Sequence, residues 1–447
     1  MNDSFKEESG PIDDIQLDAV PQDADDIQQE TAQVEGALLA SAQGDTLADV
    51  IRDWWLRVRA GDLGSLPIIL GFVIIAVIFG MAEPLFFSSR NFVNLLLQMS
   101  GITAIAIGVV FVLLIAEIDL SIAYVGAVVA VVMVLLLRGQ SAELPWLVAI
   151  PWPLAIAIAL AIGAVIGLIQ GSIVTKTGAH SFVVTLAGLL VWSGVVLILT
   201  TSLSTAGNII IQDDVVIGIA NEFLPLLWGW ILWAATMIAY ILSTISRRRT
   251  LRRENLQVGP VSVQILKIVG LASVTAFAVW YAYQDRGIPV VIVVVLLFLF
   301  FWTFIASRTR FGRYVYAVGG NPEAARRAGI NVDRIRIYVF MISSFMAGVG
   351  GIILASRLRS VGTGTGGGNL LLNAIAAAVI GGTSLFGGVG FVMSAFLGAL
   401  IIMSVENGMG LLGLPSGVKF VVNGLVLLGA VLIDALSRRF RESSGIV

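Results

Sequence analysis

Twelve stretches of this chain stay apolar for about the 20 residues needed to cross the roughly 30 Å hydrocarbon core of a bilayer. They lie near residues 66–87, 92–116, 119–138, 145–171, 181–201, 223–245, 264–283, 288–306, 334–356, 371–384, 389–405 and 418–436. Backbone amides in hydrocarbon must be satisfied within the protein. The expected fold is therefore all-α, a polytopic transmembrane helical bundle of about 12 spans. Composition excludes a soluble alternative: 57% of the residues are hydrophobic and only 13% charged, where soluble domains carry about 25%. The tenth run is short and Gly-flanked, which predicts a re-entrant segment or a bend into the eleventh.

The net charge of −2 hides an uneven distribution. Residues 1–50 carry 13 acids and one base, Lys6, while the other 397 residues carry 26 bases against 16 acids. The head lacks aromatics beyond Phe5 and shows no sustained apolar period, so it is expected to be an acidic disordered tail. A basic stretch followed by an apolar one is absent there, which argues against a cleaved secretory signal. The chain has no cysteine, hence no disulfide, thiol nucleophile or thiolate metal site.

Orientation follows from Arg and Lys, which favour cytoplasmic loops. Arg52, Arg57 and Arg59 precede the first run, Arg247 to Arg249, Arg252 and Arg253 follow the sixth, and Arg308, Arg310, Arg313, Arg326 and Arg327 follow the eighth. Arg438, Arg439 and Arg441 begin a basic tail over 438–447. Twelve crossings then leave both termini cytoplasmic, with the loop over 202–222 and the run Gly362-Thr363-Gly364-Thr365-Gly366-Gly367-Gly368 outside. Arg357 and Arg359 fall outside and violate the bias. The glycine run fits either a mobile gate or a plain linker.

Between the eighth and ninth runs the sequence spells out a separate short helix. Asn321 is a good N-cap, Pro322 suits the first helical position, and Glu323 complements the positive end of the helix dipole. Arg326 and Arg327 complement the other end, and Gly329 suits the left-handed position past it. About two turns, roughly 10 Å, are expected. Ala324, Ala325 and Ala328 would gather on one side as a small-residue surface open to close approach by another protein.

Glu323-Ala324-Ala325 to Gly329 resembles the Glu-Ala-Ala-x-x-x-Gly coupling motif of ABC importer permeases, the segment that docks on the ATPase subunit. Four further stretches resemble the ribose, galactoside and xylose permease family: Ala116-Glu117-Ile118-Asp119-Leu120-Ser121, Ser181 to Gly188, Phe311 to Asn321, and Ile380-Gly381-Gly382-Thr383-Ser384-Leu385-Phe386-Gly387-Gly388-Val389-Gly390. Within it the chain is most similar to D-xylose permeases, sharing the Ala-Glu-Ile-Asp-Leu-Ser form, Glu406-Asn407-Gly408-Met409 and a two-span insertion over about 223–285. The resemblance implies a transmembrane permease domain over 51–437, with its coupling segment at 308–332. It further implies a bacterial inner-membrane importer that moves a monosaccharide, D-xylose first among the candidates. Its partners would be an ABC ATPase subunit carrying ATP and Mg, a soluble sugar-binding protein, a second permease copy in a homodimer and the lipid bilayer, with no nucleic acid. Departures stand at Ala123, at Ala179-His180, and at Leu371 and Asn373, where relatives carry Gly, Val-Pro and acids respectively.

The residues exclude ATP chemistry in this chain. Its only lysines are Lys6, Lys176, Lys267 and Lys419, and no Gly-x-x-x-x-Gly-Lys-Ser/Thr loop exists to cradle phosphates. No catalytic residue and no metal site is expected. An ion-coupled secondary sugar transporter, the alternative reading, would place carboxylates at mid-span. Glu117, Asp119, Glu406 and Asp434 instead fall near the ends of the runs. Asp119 or Ser121 can cap the helix that follows, and the break from Glu117 to Ser121 is also a candidate gate or pathway element. Gly381, Gly382, Thr383 and Ser384 read either as a second candidate pathway turn, on the cytoplasmic side near the ATPase that the resemblance implies, or as close helix packing alone. Lone His180 reads as a solvated interfacial residue. Trp54, Trp55, Trp146, Trp152, Trp228, Trp230 and Trp280 read as interface anchors.

Overall fold

A computed structural model describes residues 66–139, 147–204, 206–254 and 260–443. The acidic head, Trp54, Trp55 and Trp146 lie outside these residues, as do residues 444–447 of the basic tail. Fifteen α-helices account for most of the described chain, and every apolar run falls on a helix. Helices α1 (Leu66–Ala82), α2 (Ser89–Leu114), α3 (Ile122–Arg138), α4 (Trp152–Thr177) and α5 (Ser181–Leu203) cover the first five runs. A short α6 (Asp214–Asn221) precedes α7 (Leu226–Arg253), α8 (Val261–Ala282) and α9 (Val290–Arg308). Two helices missing from the apolar pattern follow, α10 (Arg310–Gly320) and α11 (Pro322–Arg327). The long α12 (Val332–Leu358), the short α13 (Leu370–Ile380), α14 (Met393–Leu411) and α15 (Ser416–Ser443) complete the order. Eight of these helices are long and apolar enough to cross a membrane. Helix α13, with 11 residues, is not, in keeping with the re-entrant expectation.

Internal contacts divide the described chain into two units. The described part of the smaller comprises residues 245–254 and 260–269, where Arg248 donates to Gln264 at 2.7 Å. All else described belongs to the larger unit. At the heart of that unit lie α2 and α12, with α12 packed along α2, α3 and α4. The most apolar window of α2 is 89% buried against 11% for α5, so α2 is a core helix while α5 lies at the periphery. Small residues let the central backbones approach. Gly163, Gly167 and Gly171, one turn apart on α4, face Ser344, Phe340 and Ile337 of α12 so closely that a methyl group on any of them would meet main-chain atoms. Without a hydrophobic drive between helices in lipid, such contact and its dispersion energy hold spans together.

At one end of the larger unit β1 (Asn208–Ile210) pairs antiparallel with β2 (Ser360–Gly362), Ile209 opposite Val361. Gly362 is thus a strand residue, and its amide also meets Thr365 Oγ1 at 2.8 Å, so the glycine run is anchored where it starts. An isolated bridge joins Phe223 to Pro289. His180 is exposed ahead of α5; Trp152, Trp228 and Trp280 are exposed as well, while Trp230 is half-buried.

Candidate functional site

The segment after α9 is built from two caps in series. Thr309 Oγ1 accepts the Gly312 amide at 3.2 Å and starts α10, whose buried Gly312, Val315, Val318 and Gly319 recur at helical spacing opposite exposed Arg310, Arg313 and Tyr314. Asn321 then breaks the helix with extended backbone, and its Oδ1 accepts the Ala324 amide at 2.9 Å to start α11. Pro322 is at the first helical position, Arg326 and Arg327 are in the last turn, and Gly329 adopts φ +81°. Each role matches the sequence expectation. The alanine surface does not: Ala325 is 4% exposed against the protein's own core, while Ala324 and Ala328 face outward with Glu323, Arg326 and Arg327. The six-residue helix needs one inward anchor to hold it to the bundle, and Ala325 fills that place. Arg326 lies 3.6 Å from Asp333, a surface pair of little energetic weight.

Three segments distant in sequence meet at the end of α10, just ahead of this short helix. The end of α2, the end of α10 and the loop over 381–390 pack main chain on main chain. Gly388 N donates to Leu114 O at 2.9 Å, and Tyr316 Oη donates to Gly390 O at 2.8 Å. Burial pushes the Tyr316 phenol above its ordinary range, which keeps it a neutral donor. At Gly319 a methyl group would overlap the Leu114 carbonyl and crowd Gly388 N. Gly387 and Gly388 adopt φ +82° and +71°, backbone that side-chain-bearing residues avoid, and they lie against Ala116, Gly319 and Gly320.

The break after α2 begins at this junction. Ala116 takes φ +59°, and Glu117, Ile118 and Asp119 carry no regular structure before α3 starts. Asp119 is 5% exposed. Its Oδ1 accepts the Ser121 amide at 3.0 Å and the Ser121 hydroxyl at 2.7 Å, and its Oδ2 accepts the Ser343 hydroxyl of α12 at 3.0 Å. Gln170 Nε2 of α4 donates to Ser121 Oγ at 2.9 Å. Capping thus comes from Asp119; Ser121 holds the N-cap position without a side-chain bond into α3. Arg336 Nε of α12 lies 3.1 Å from Glu117 Oε1, an ion pair not aligned as a hydrogen bond. Asp119→Ala would orphan the buried Ser343 hydroxyl at a cost of about 1–3 kcal/mol, while the Ser121 hydroxyl keeps Gln170. The variant should lower the midpoint of thermal unfolding in detergent, while Asp119→Asn, which keeps acceptor capacity, should lose less.

Gly381, Gly382, Thr383 and Ser384 follow α13 and lead into the junction loop. Thr383 and Ser384 are buried, Thr383 N donates to Ala378 O at 3.0 Å, and Ser384 N donates to Val389 O at 2.9 Å. The structure therefore brings the coupling residues, the Glu117 to Ser121 break and the 381–390 loop to one end of the bundle. Residues that sequence reasoning missed are Gly319, Tyr316, Gln170, Arg336 and Ser343. Only Gly319 carried a signal, as a buried position of the α10 period; the others are tied to their partners by folding alone. Among the described residues no cluster of three or more His, Cys, Asp or Glu could hold a metal.

Residues 91–435, which include this junction, match the family described as branched-chain amino acid transport system / permease component. The chain belongs to that permease family. It is similar to the xylose transport system permease protein of Escherichia coli K12, 37% identical over 358 residues that cover 79% of this chain and 87% of the relative. The corresponding xylose permease of Haemophilus influenzae is 36% identical over 384 residues, 86% and 99% of the two chains. The ribose import permease protein of that organism is 34% identical over 366 residues, 82% and 91%. No solved structure gives a significant match. The permease is a multi-pass membrane protein, and its assignment as a transport subunit agrees with a bundle built of apolar helices.

Proposed function

We propose that this permease is the membrane-spanning subunit of a bacterial ATP-driven ABC importer and translocates a monosaccharide, D-xylose, into the cytoplasm. ATP and Mg are bound and hydrolysed by a separate ATPase subunit, which docks on α11. The sugar arrives on a soluble binding protein, and two permease copies form the pathway in the inner membrane with their termini cytoplasmic. The observation that carries this reading is α11 itself: a capped, exposed six-residue helix bearing Glu323-Ala324-Ala325 to Gly329, which follows directly on α10, whose end makes main-chain contact with the end of α2 and with the 381–390 loop. Similarity to a xylose permease at 37% identity, ahead of a ribose permease at 34%, favours D-xylose over ribose.

Uptake of labelled D-xylose, ribose, arabinose and galactose in cells lacking the gene, and in cells with it restored, tests the proposal. Selective loss and recovery of D-xylose uptake is the expected result. Recovery of a different sugar would correct the cargo, and uptake that survives ATP depletion would overturn the ABC mechanism.

A further inference from the structure

The geometry points to a monosaccharide-binding site at the end of the bundle opposite α11, in a cavity of about 460 Å³ walled by Asn94, Gln98, Arg357, Glu406, Asn407 and Lys419. Asn94 precedes Leu114 by 20 residues of one helix, about 30 Å along its axis, so the cavity and the junction occupy opposite ends of α2. Its volume lies within the 300–1,000 Å³ or so of small-molecule sites.

The wall is organised before any ligand arrives. Asn91 donates to Asn407 Oδ1 at 2.8 Å, and Asn407 donates to Gln98 Oε1 at 3.4 Å. Asn423 donates to Glu406 Oε2 at 2.7 Å and to Asn373 Oδ1 at 3.3 Å. These bonds fix the amides of α2 and α14 and one oxygen of the carboxylate. The side chains of Arg357 and Lys419, by contrast, make no hydrogen bond or ion pair among the described residues. An arginine near a span end, against the charge bias of outer loops and without a partner, is costly unless something supplies acceptors.

Vicinal hydroxyls fit this wall because each both donates and accepts. The guanidinium and ammonium groups offer donors only, the free carboxylate oxygen accepts, and the amides do both. Met403 and Leu411 add the apolar patch that the C–H face of a sugar ring would cover. Placing the cavity on the outer side rests on the importer reading above: a sugar released by its binding protein meets this end first.

The chain contains no cysteine, so a single introduced thiol is a clean reporter. Asn94→Cys and, separately, Leu411→Cys are made in the full chain, and whole cells are treated with an impermeant maleimide. Both thiols should be labelled from outside, and millimolar D-xylose should slow labelling at least threefold while mannitol at equal osmolarity does not. Adding Arg357→Met should abolish that protection. Protection by sulfate in place of sugar would make this an anion site and overturn the proposal, as would labelling indifferent to every sugar tried or absent at both positions. The readout is independent of uptake: sugar protection in cells whose uptake survives ATP depletion would keep the site and discard the ABC reading, and the reverse pattern would discard the site alone.

Discussion

Gly319→Val is expected to abolish sugar uptake while leaving the chain in the membrane at near-normal abundance. The substituent would enter the Leu114 carbonyl and the space of Gly388 N, both main-chain atoms that no rotamer change can move aside. Accommodating extra methyl groups in a packed core costs about 1–3 kcal/mol even where side chains yield. Here relief requires α10 to lift off the end of α2 and carry α11 with it, so the coupling segment would lose its backing. Gly320→Ala is the internal control, since a methyl at Gly320 meets open space. Uptake above a tenth of wild type in Gly319→Val would show that the junction yields and that α11 does not depend on it.

The second large effect concerns α11 directly. Reversing Arg326 and Arg327 together to Glu should leave insertion intact and reduce co-purification of the ATPase subunit at least tenfold. Both side chains are exposed at the C-terminal end of the helix, where cations are favoured by about 0.3–1 kcal/mol each. Part of the loss could therefore come from fraying of α11 and not from a lost contact. The pair Arg326→Gln with Arg327→Gln removes the charges without setting carboxylates against the dipole. If the Gln pair retains the ATPase and only the Glu pair fails, fraying is the cause; if both lose it, the charges themselves hold the partner. Full retention in both would remove α11 from the docking role.

The parts of the fold that rest on local rules were legible. Length and polarity located the spans, and the order Asn321, Pro322, Glu323, Arg326, Arg327, Gly329 wrote out a helix with its caps. Helix α10 is equally local, with Thr309 as its cap and a buried period from Gly312 to Gly319. Ala325 shows the limit of face-counting: in a six-residue helix whose alanines span more than a turn, which one turns inward depends on the bundle it leans on. Long-range partners were not legible. Asp119 finds Ser343 across 224 positions, and Glu117 finds Arg336 across a similar distance, through the packing of α2, α3 and α12. Serine is unremarkable on an apolar helix, and nothing near Ser343 announces a carboxylate.

Helix α13 is only 11 residues long, about 16 Å, roughly half the thickness of the hydrocarbon core. The remaining depth is crossed by the non-helical chain from Gly381 to Gly390, which lipid alone could not tolerate. Its amides and carbonyls are answered by protein: Ala378 O, Val389 O, Leu114 O and the Tyr316 hydroxyl. An uninterrupted span can be displaced at one end only by tilting as a rod or by unwinding a turn. This half-span instead ends in a loop whose glycines lie on main-chain atoms of its neighbours, Gly381 on Ser394, Gly387 on Ala116 and Gly319, and Gly388 on Gly320. A displacement of α10 would therefore pass straight to this loop and to the end of α2, with no side chain between them to yield, so motion at this end is transmitted whole and not absorbed.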